Sequence, residues 1–279
     1  PRLDPVTPAD LTRTVLHTVR RAIEADELSA VVPDRVTVRV PPHPGCGDYA
    51  TNVALRIAQD SGRPAPEVAE VLRRRLVAEP GIARVDIAGP GFLNITLEGS
   101  SYVQLVRDVL GMRPSPPVLG EPPAELVARL GGDAARWSLV SPPGVPRDLL
   151  LVQRESNPLF RVRYAHARTR ALLRNAHDLG FGPEPGDLGD LMDEDAAPVL
   201  AGLADHSRVT ATRAPERLAR HLERLADAFL RWQAACPTLP SGGEKPLAVH
   251  RARLALAEAT GTVLADGLHQ LGITAPAHL

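Results

Sequence analysis

Lysine is almost absent: Lys245 is the one lysine among 32 basic residues, so the rest are Arg. Aromatic residues make up 3% of the chain. No core can rest on stacked rings, packing falls to Leu, Val and Ala, and each Phe, Tyr and Trp becomes worth placing individually. Two cysteines, Cys46 and Cys236, stand far apart without CxxC or Cys/His ligand spacing. That excludes a disulfide framework and a zinc site, and no metal or other cofactor is expected. No apolar run approaches the roughly 18 residues of a membrane span, and no basic-then-apolar leader is seen. A membrane partner is therefore not expected and the cytoplasm is the expected location; DNA is not among the expected partners either. Arg in place of Lys, with 28 Pro and 22 Gly, is the composition of a high-GC bacterial genome. The chain opens on Pro1 instead of Met, so a short preceding piece is expected.

What is present is globular: 279 residues, 44% hydrophobic and 23% charged, with a net charge of -1. This suffices for one large or two ordinary domains. Thr7 as N-cap, Pro8 and Asp10 open a helix whose apolar residues Leu11, Val15, Val19 and Ile23 carry it to about Leu28. "RVTVRV" (35–40) alternates as a strand, and "PPHPGCG" follows as a loop. "DYATNVALRIAQDSG" and "APEVAEVLRRRLVAEPG" read as helices closing at Gly62 and near Pro80. "RVDIAG" and "FLNITLEG" read as strands joined at Gly89-Pro90-Gly91, before a helix from Ser101 to Leu110. Residues 1–111 are thus expected to form a small α+β domain. Repeated prolines make 112–123 a linker. The remainder, 124–279, predicts helices at 124–130, 133–140, 158–179, 197–205, 215–235 and 247–271, with "DLLLVQ" the one strand candidate. Leu218, Leu222, Leu225, Phe229 and Trp232 share one helical face, as an antiparallel bundle requires. The fold class is α+β followed by an all-α bundle, predominantly helical overall.

"NPLFRVRYAHARTRALLRNA" (157–176) has five Arg residues around Tyr164 and His166 and no acid. Helical spacing puts Val162, Ala165, Thr169, Leu172, Leu173 and Ala176 on a core stripe. Arg161, Tyr164 and Arg168 line one edge, and Arg163, Arg170 and Arg174 a second row. Guanidinium groups clamp phosphates, and a flat phenol stacks on bases, so the first edge suits single-stranded RNA. A solvated face with its Arg residues paired to acids on neighbouring helices has the same charge pattern, and composition does not separate the two.

The words of the sequence go further. "NPLFRVRYAHAR" resembles the start of the DALR-type anticodon-binding bundle of arginyl-tRNA synthetases. "GGDAARWSLVS" (131–141), "LERLADAFLRWQAACPTL" (222–239) and "RLALAEATGTVLADGLHQLGITAPAHL" (253–279) resemble its other segments in order. "GDYATNVALRIAQ" (47–59) and "IAGPGFLNITL" (87–97) resemble the N-terminal additional domain of the same enzymes. Between these domains the enzymes carry a doubly wound core with a His-x-Gly-His signature and a Lys-Met-Ser-Lys-like loop. Here the interval is the 112–123 linker, no His stands in that signature, and no glycine-rich phosphate loop replaces it. The resemblance implies a catalytically inactive paralogue, a pseudoenzyme without the site for ATP and arginine.

It also implies RNA-binding residues. Phe92 and Asn94 match an aromatic and an amide that meet a splayed D-loop nucleotide, and as i and i+2 on a strand they share one face. Tyr164 and Arg168 match positions used around the anticodon, while His166, nearer the apolar side, reads as structural. Three places depart from the family pattern: Arg161 and Gln233 replace tyrosines, the latter beside the aromatic Trp232, and Leu279 replaces a terminal Met. Arg161, Trp232, Gln233 and Leu279 complete the candidate contacts, and the departures at Arg161, Gln233 and Leu279 imply a drift in anticodon affinity or specificity. His43, Cys46 and Asp48 sit close in one loop but read as a turn into a helix. The implied partner is tRNA, with an arginine isoacceptor the first choice. The alternative is a regulatory module whose tRNA surface now binds a protein partner. A third reading is a fragment supplying these domains to a separate catalytic chain.

Overall fold

The computed structural model describes residues 6–41, 46–142, 146–186 and 195–279. The chain divides into two compact units, 1–105 and 106–279. No described helix is long and apolar enough to cross a membrane.

The first unit sets three helices, α1 (Leu11–Glu24), α2 (Val53–Ser61) and α3 (Ala65–Leu76), with a four-stranded antiparallel sheet. The strands are β1 (Val38–Arg39), β2 (Tyr49–Thr51), β3 (Ile82–Ala88) and β4 (Phe92–Leu97), in the order β1-β2-β4-β3. Leu93, Ile95 and Leu97 of β4 and Val85 of β3 point into the core with Val15, Val19, Val68 and Leu72 from the helices. The intervening residues of β4 face outward, as a period of two requires.

Three expectations change here. Thr7 is not the N-cap: its hydroxyl donates to the Asp10 carboxylate in a turn before α1, which ends at Glu24. Tyr49–Thr51 is a strand where the helix was expected to have begun. Gly47 starts it at φ 77°, and a Cβ there would stand 3.0 Å from the Ile95 carbonyl oxygen, so only glycine lets the chain join β4 this closely. The strand expected at 35–40 shortens to the two residues opposite β2, Val38 paired with Thr51 and Arg39 with Ala50.

Helix α4 (Gly99–Leu110) carries the chain across the boundary of the two units. The second unit holds α5 (Ala124–Leu130), α6 (Gly132–Val140), α7 (Pro158–Asp178), α8 (Ala197–Ala211), α9 (Pro215–Ala235) and α10 (Ala248–Gln270). "DLLLVQ" is not a strand; Arg147–Leu151 is a 3-10 turn that buries Leu150, with Asp148 in its first turn. Asn157 caps α7: its Oδ1 accepts from the Phe160 N–H and its Nδ2 donates to the carbonyls of Leu150 and Val152. Helix α10 is the centre of the bundle and is buried nearly all round, against α7, α8 and α9. Its glycines allow this. A Cβ on Gly261 would lie 2.3 Å from Thr169 Oγ1 of α7, so these two helices touch backbone to side chain.

The proline-rich segment 112–123 has neither helix nor strand, but within the second unit it is pinned to α10. Ser115 donates its backbone N–H (2.7 Å) and hydroxyl (3.1 Å) to the Asp266 carboxylate, and the Val118 N–H donates to the Gln270 carbonyl.

Candidate RNA-binding faces

In the first unit, the strand register assembles an outward row. Arg39 opposes Ala50, Ala50 opposes Asn94, and Asn94 opposes Asp86. Phe92, one pleat along on the same face, opposes Ala88. Arg39, Ala50, Asn94, Phe92 and Ala88 border a cleft of about 470 Å³ that also meets Cys46 and Pro90. Phe92 is 41% exposed although an apolar side chain on a strand is usually core. Asp86 does not offer a free charge to this face, since its carboxylate meets Arg84 Nε at 2.9 Å. The face therefore presents a flat ring, a primary amide and a guanidinium together.

Asp48 is structural: its carboxylate accepts from the Leu97 N–H at 2.8 Å. Cys46 forms no disulfide, and His43 lies outside the described residues. No group of three metal-ligating side chains occurs among the described residues.

In the second unit, Arg161, Tyr164, Arg168 and Gln233 meet along the seam of α7 and α9. The Tyr164 ring is 42% exposed and stacks on Phe160, with centroids 5.8 Å apart and an interplanar angle of 16°. Phe160 is a partner that residue spacing could have revealed, because i and i+4 share a helical face. Arg161 is held by acids: its Nε meets Asp227 at 3.0 Å, one Nη approaches Glu223 at 4.0 Å, and the other donates to the Glu155 carbonyl. Burial pushes the Glu223 carboxyl up, and Arg161 pulls it partly back. Arg168 differs. Its Nε donates to Gln233 Oε1 at 2.9 Å, a neutral partner that orients the guanidinium without neutralising it. Gln233 is thus a positioning residue here.

Two of the proposed contacts are not presented at this seam. Trp232 is fully buried and packs against Phe229, so no base can reach its ring. Leu279 is 51% exposed, but the tail leading to it lies on the other side of α7. There the His166 Nδ1 pairs with the Pro276 carbonyl at 2.9 Å, and Arg174 reaches Ala277 and His278. His166 is the satisfied structural histidine expected from its place near the apolar stripe; burial, against the Pro276 hydrogen bond, holds its pKa below the ordinary value.

The second arginine row is not one solvated face. Arg163 turns toward Asp133 of α6 (3.8 Å), Arg174 clasps the tail, and Arg170 borders a cavity against α10. The core stripe is broader than expected, because His166 and Ala167 are buried as well.

Comparison with known proteins matches two segments of the chain. Residues 11–97 match the arginyl tRNA synthetase N terminal domain, and residues 162–279 match the DALR anticodon binding domain. Among solved structures, one described as an arginyl tRNA synthetase from Campylobacter jejuni aligns over 56% of this chain and 35% of its own length, with 21% identity and a TM-score of 0.45. The arginyl-tRNA synthetase of Thermus thermophilus aligns over 65% of this chain and 31% of its own, with 23% identity and a TM-score of 0.42. The chain thus corresponds to about a third of the length of these structures.

Proposed function

Because the chain joins an arginyl tRNA synthetase N-terminal domain to a DALR anticodon binding domain, we propose that it is a non-catalytic tRNA-binding protein that meets the D-loop with one unit and the anticodon loop with the other. The chemistry is stacking backed by guanidinium contacts to phosphate. One observation carries the reading. Of four Phe, three Tyr and two Trp, the exposed rings are Phe92 and Tyr164, one in each unit, each beside hydrogen-bonding or cationic side chains.

In this reading Phe92 stacks on a D-loop base while Asn94 reads its edge, and Tyr164 stacks in the anticodon loop while Arg168, oriented by Gln233, grips a phosphate. Arginine isoacceptors are the first candidates, and the cytoplasm is the setting. Mobility shifts with a panel of purified tRNAs test it, run from low to physiological salt because phosphate contacts weaken steeply with salt. Absence of a shift with every tRNA at low salt sinks the proposal.

The grip of Asp227 and Glu223 on Arg161 favours a second reading, a surface turned toward a protein partner. A partner captured from cells of the source organism, and retained after RNase treatment, distinguishes it.

A further inference from the structure

One cavity of the second unit shares no lining residue with the Arg161–Tyr164 edge. It measures about 510 Å³, within the roughly 300–1,000 Å³ typical of small-molecule sites. Arg251 at the start of α10 meets Phe181 just past the end of α7, and Gly261 meets Thr169, so the two helices run antiparallel. The cavity lies along their contact and is also bordered by Met112 and Pro114 from the pinned proline-rich segment.

Two opposite charges face into it, Arg170 from α7 and Glu258 from α10. Neither makes a hydrogen bond through its side chain or a close ion pair among the described residues, yet each lies within the other's field. Burial pushes the Glu258 carboxyl up and Arg170 draws it partly back. A half-buried carboxylate without a close ion pair favours a cation beside it, and the exposed Arg170 at the rim offers an anion a charged hydrogen-bonding partner. The rest of the lining includes apolar Leu173 and Ala265, while Asp266 on the same wall is already engaged by His206, Ser115 and Gln270. A phosphate would face two carboxylates there.

We propose that this cavity binds a small zwitterion, a free α-amino acid with an apolar side chain. Its ammonium group meets Glu258, its carboxylate meets Arg170, and its side chain lies against Met112, Pro114 and Leu173. The two charges form no close pair with each other, so each can take one end of a dipolar group, and the tight contact of Gly261 with Thr169 forms part of the wall.

The test is isothermal titration of the full chain, without RNA, with free leucine, methionine and phenylalanine, and with leucinamide and N-acetylleucine as analogues each lacking one charge. Saturable binding of at least one free amino acid is expected, weakened about tenfold or more when either charge is removed from the ligand. Glu258→Gln and Arg170→Gln should each weaken it similarly while far-UV circular dichroism stays unchanged. The capped analogues keep the test decisive on the unaltered protein if a variant fails to fold. No saturable binding by any of the three amino acids overturns the proposal. So does binding that both capped analogues reproduce at equal affinity.

Discussion

The Asp227 carboxylate stands 3.0 Å from Arg161 Nε, across the seam where α7 and α9 meet. The guanidinium on this edge of α7 is thereby matched by an acid from the neighbouring helix. Asp227→Asn should release it. With tRNA as ligand, affinity is expected to rise roughly threefold to fivefold, the scale of an exposed ion pair, and the salt dependence to steepen by about one ion. Fluorescence anisotropy over a salt series measures both; unchanged affinity and slope would mean that Arg161 does not face the RNA.

Exposed and buried aromatics should separate cleanly. Phe92→Ala and Tyr164→Ala are each expected to weaken tRNA binding by roughly 1–3 kcal/mol while shifting folding stability by about 0.5 kcal/mol or less. Trp232→Ala should instead destabilise the fold by about 3–5 kcal/mol, because it empties the space of a fully buried ring. Urea unfolding alongside the binding assay gives the two readouts.

Acid should weaken the second unit through its buried imidazoles, which take up protons more readily once the chain unfolds. His221 is buried against His206, ring centroids 5.5 Å apart, and burial followed by the His206 charge pushes its pKa down to about 4. In the unfolded chain it returns to 6.5, so between these values the unfolded state binds more protons. Stability is expected to fall by up to roughly 3 kcal/mol as pH drops through that window, with His166 adding in the same direction. Asp266 acts lower still. Burial pushes it up, but the hydrogen bonds from His206 and Ser115 win, so its contribution persists above 3.8 and is lost only as pH falls through its lowered value. Urea midpoints across this range should show the decline, and His221→Phe should remove its share; an equally steep decline in that variant would refute the assignment.

Gly261→Ala should destabilise the bundle by roughly 1–3 kcal/mol, since the new methyl would meet Thr169 Oγ1 at 2.3 Å and the packed helices cannot both yield. Adding Thr169→Ala should restore part of the loss. Thermal denaturation of the single and double variants checks the coupling, and strict additivity would argue against direct contact.

The sequence pattern made the long elements legible. The apolar spacing of α9 and the hairpin at Gly89-Pro90-Gly91 needed no tertiary information, because each repeats the period of its own structure. Tyr49–Thr51 was hidden because a three-residue strand has no measurable period and its pairing with β4 depends on residues more than 40 positions away. The site was readable in the same uneven way. Resemblance pointed to Phe92 and Tyr164, and both are exposed. The apolar stripe of α9 already took in Trp232, which points inward even though resemblance offered it as a contact, but nothing in the sequence could tell that Gln233 reaches Arg168 or that Asp227 faces Arg161. Those are facts of how two helices rotate against each other, and a single helix's sequence leaves that rotation open.

Strand β4 lies between β2 and β3, so its backbone is hydrogen-bonded along both edges. Phe92 and Asn94 therefore stand on a platform already ordered before any ligand arrives, and little conformational entropy is lost there on binding. The same arrangement separates what the strand must keep from what it is free to change. Leu93, Ile95 and Leu97 are committed to the core, whereas the alternate positions can exchange side chains without moving the ladder. In the proposed role, recognition at this face can evolve to a new nucleotide, or a new partner, while the fold beneath it stands still.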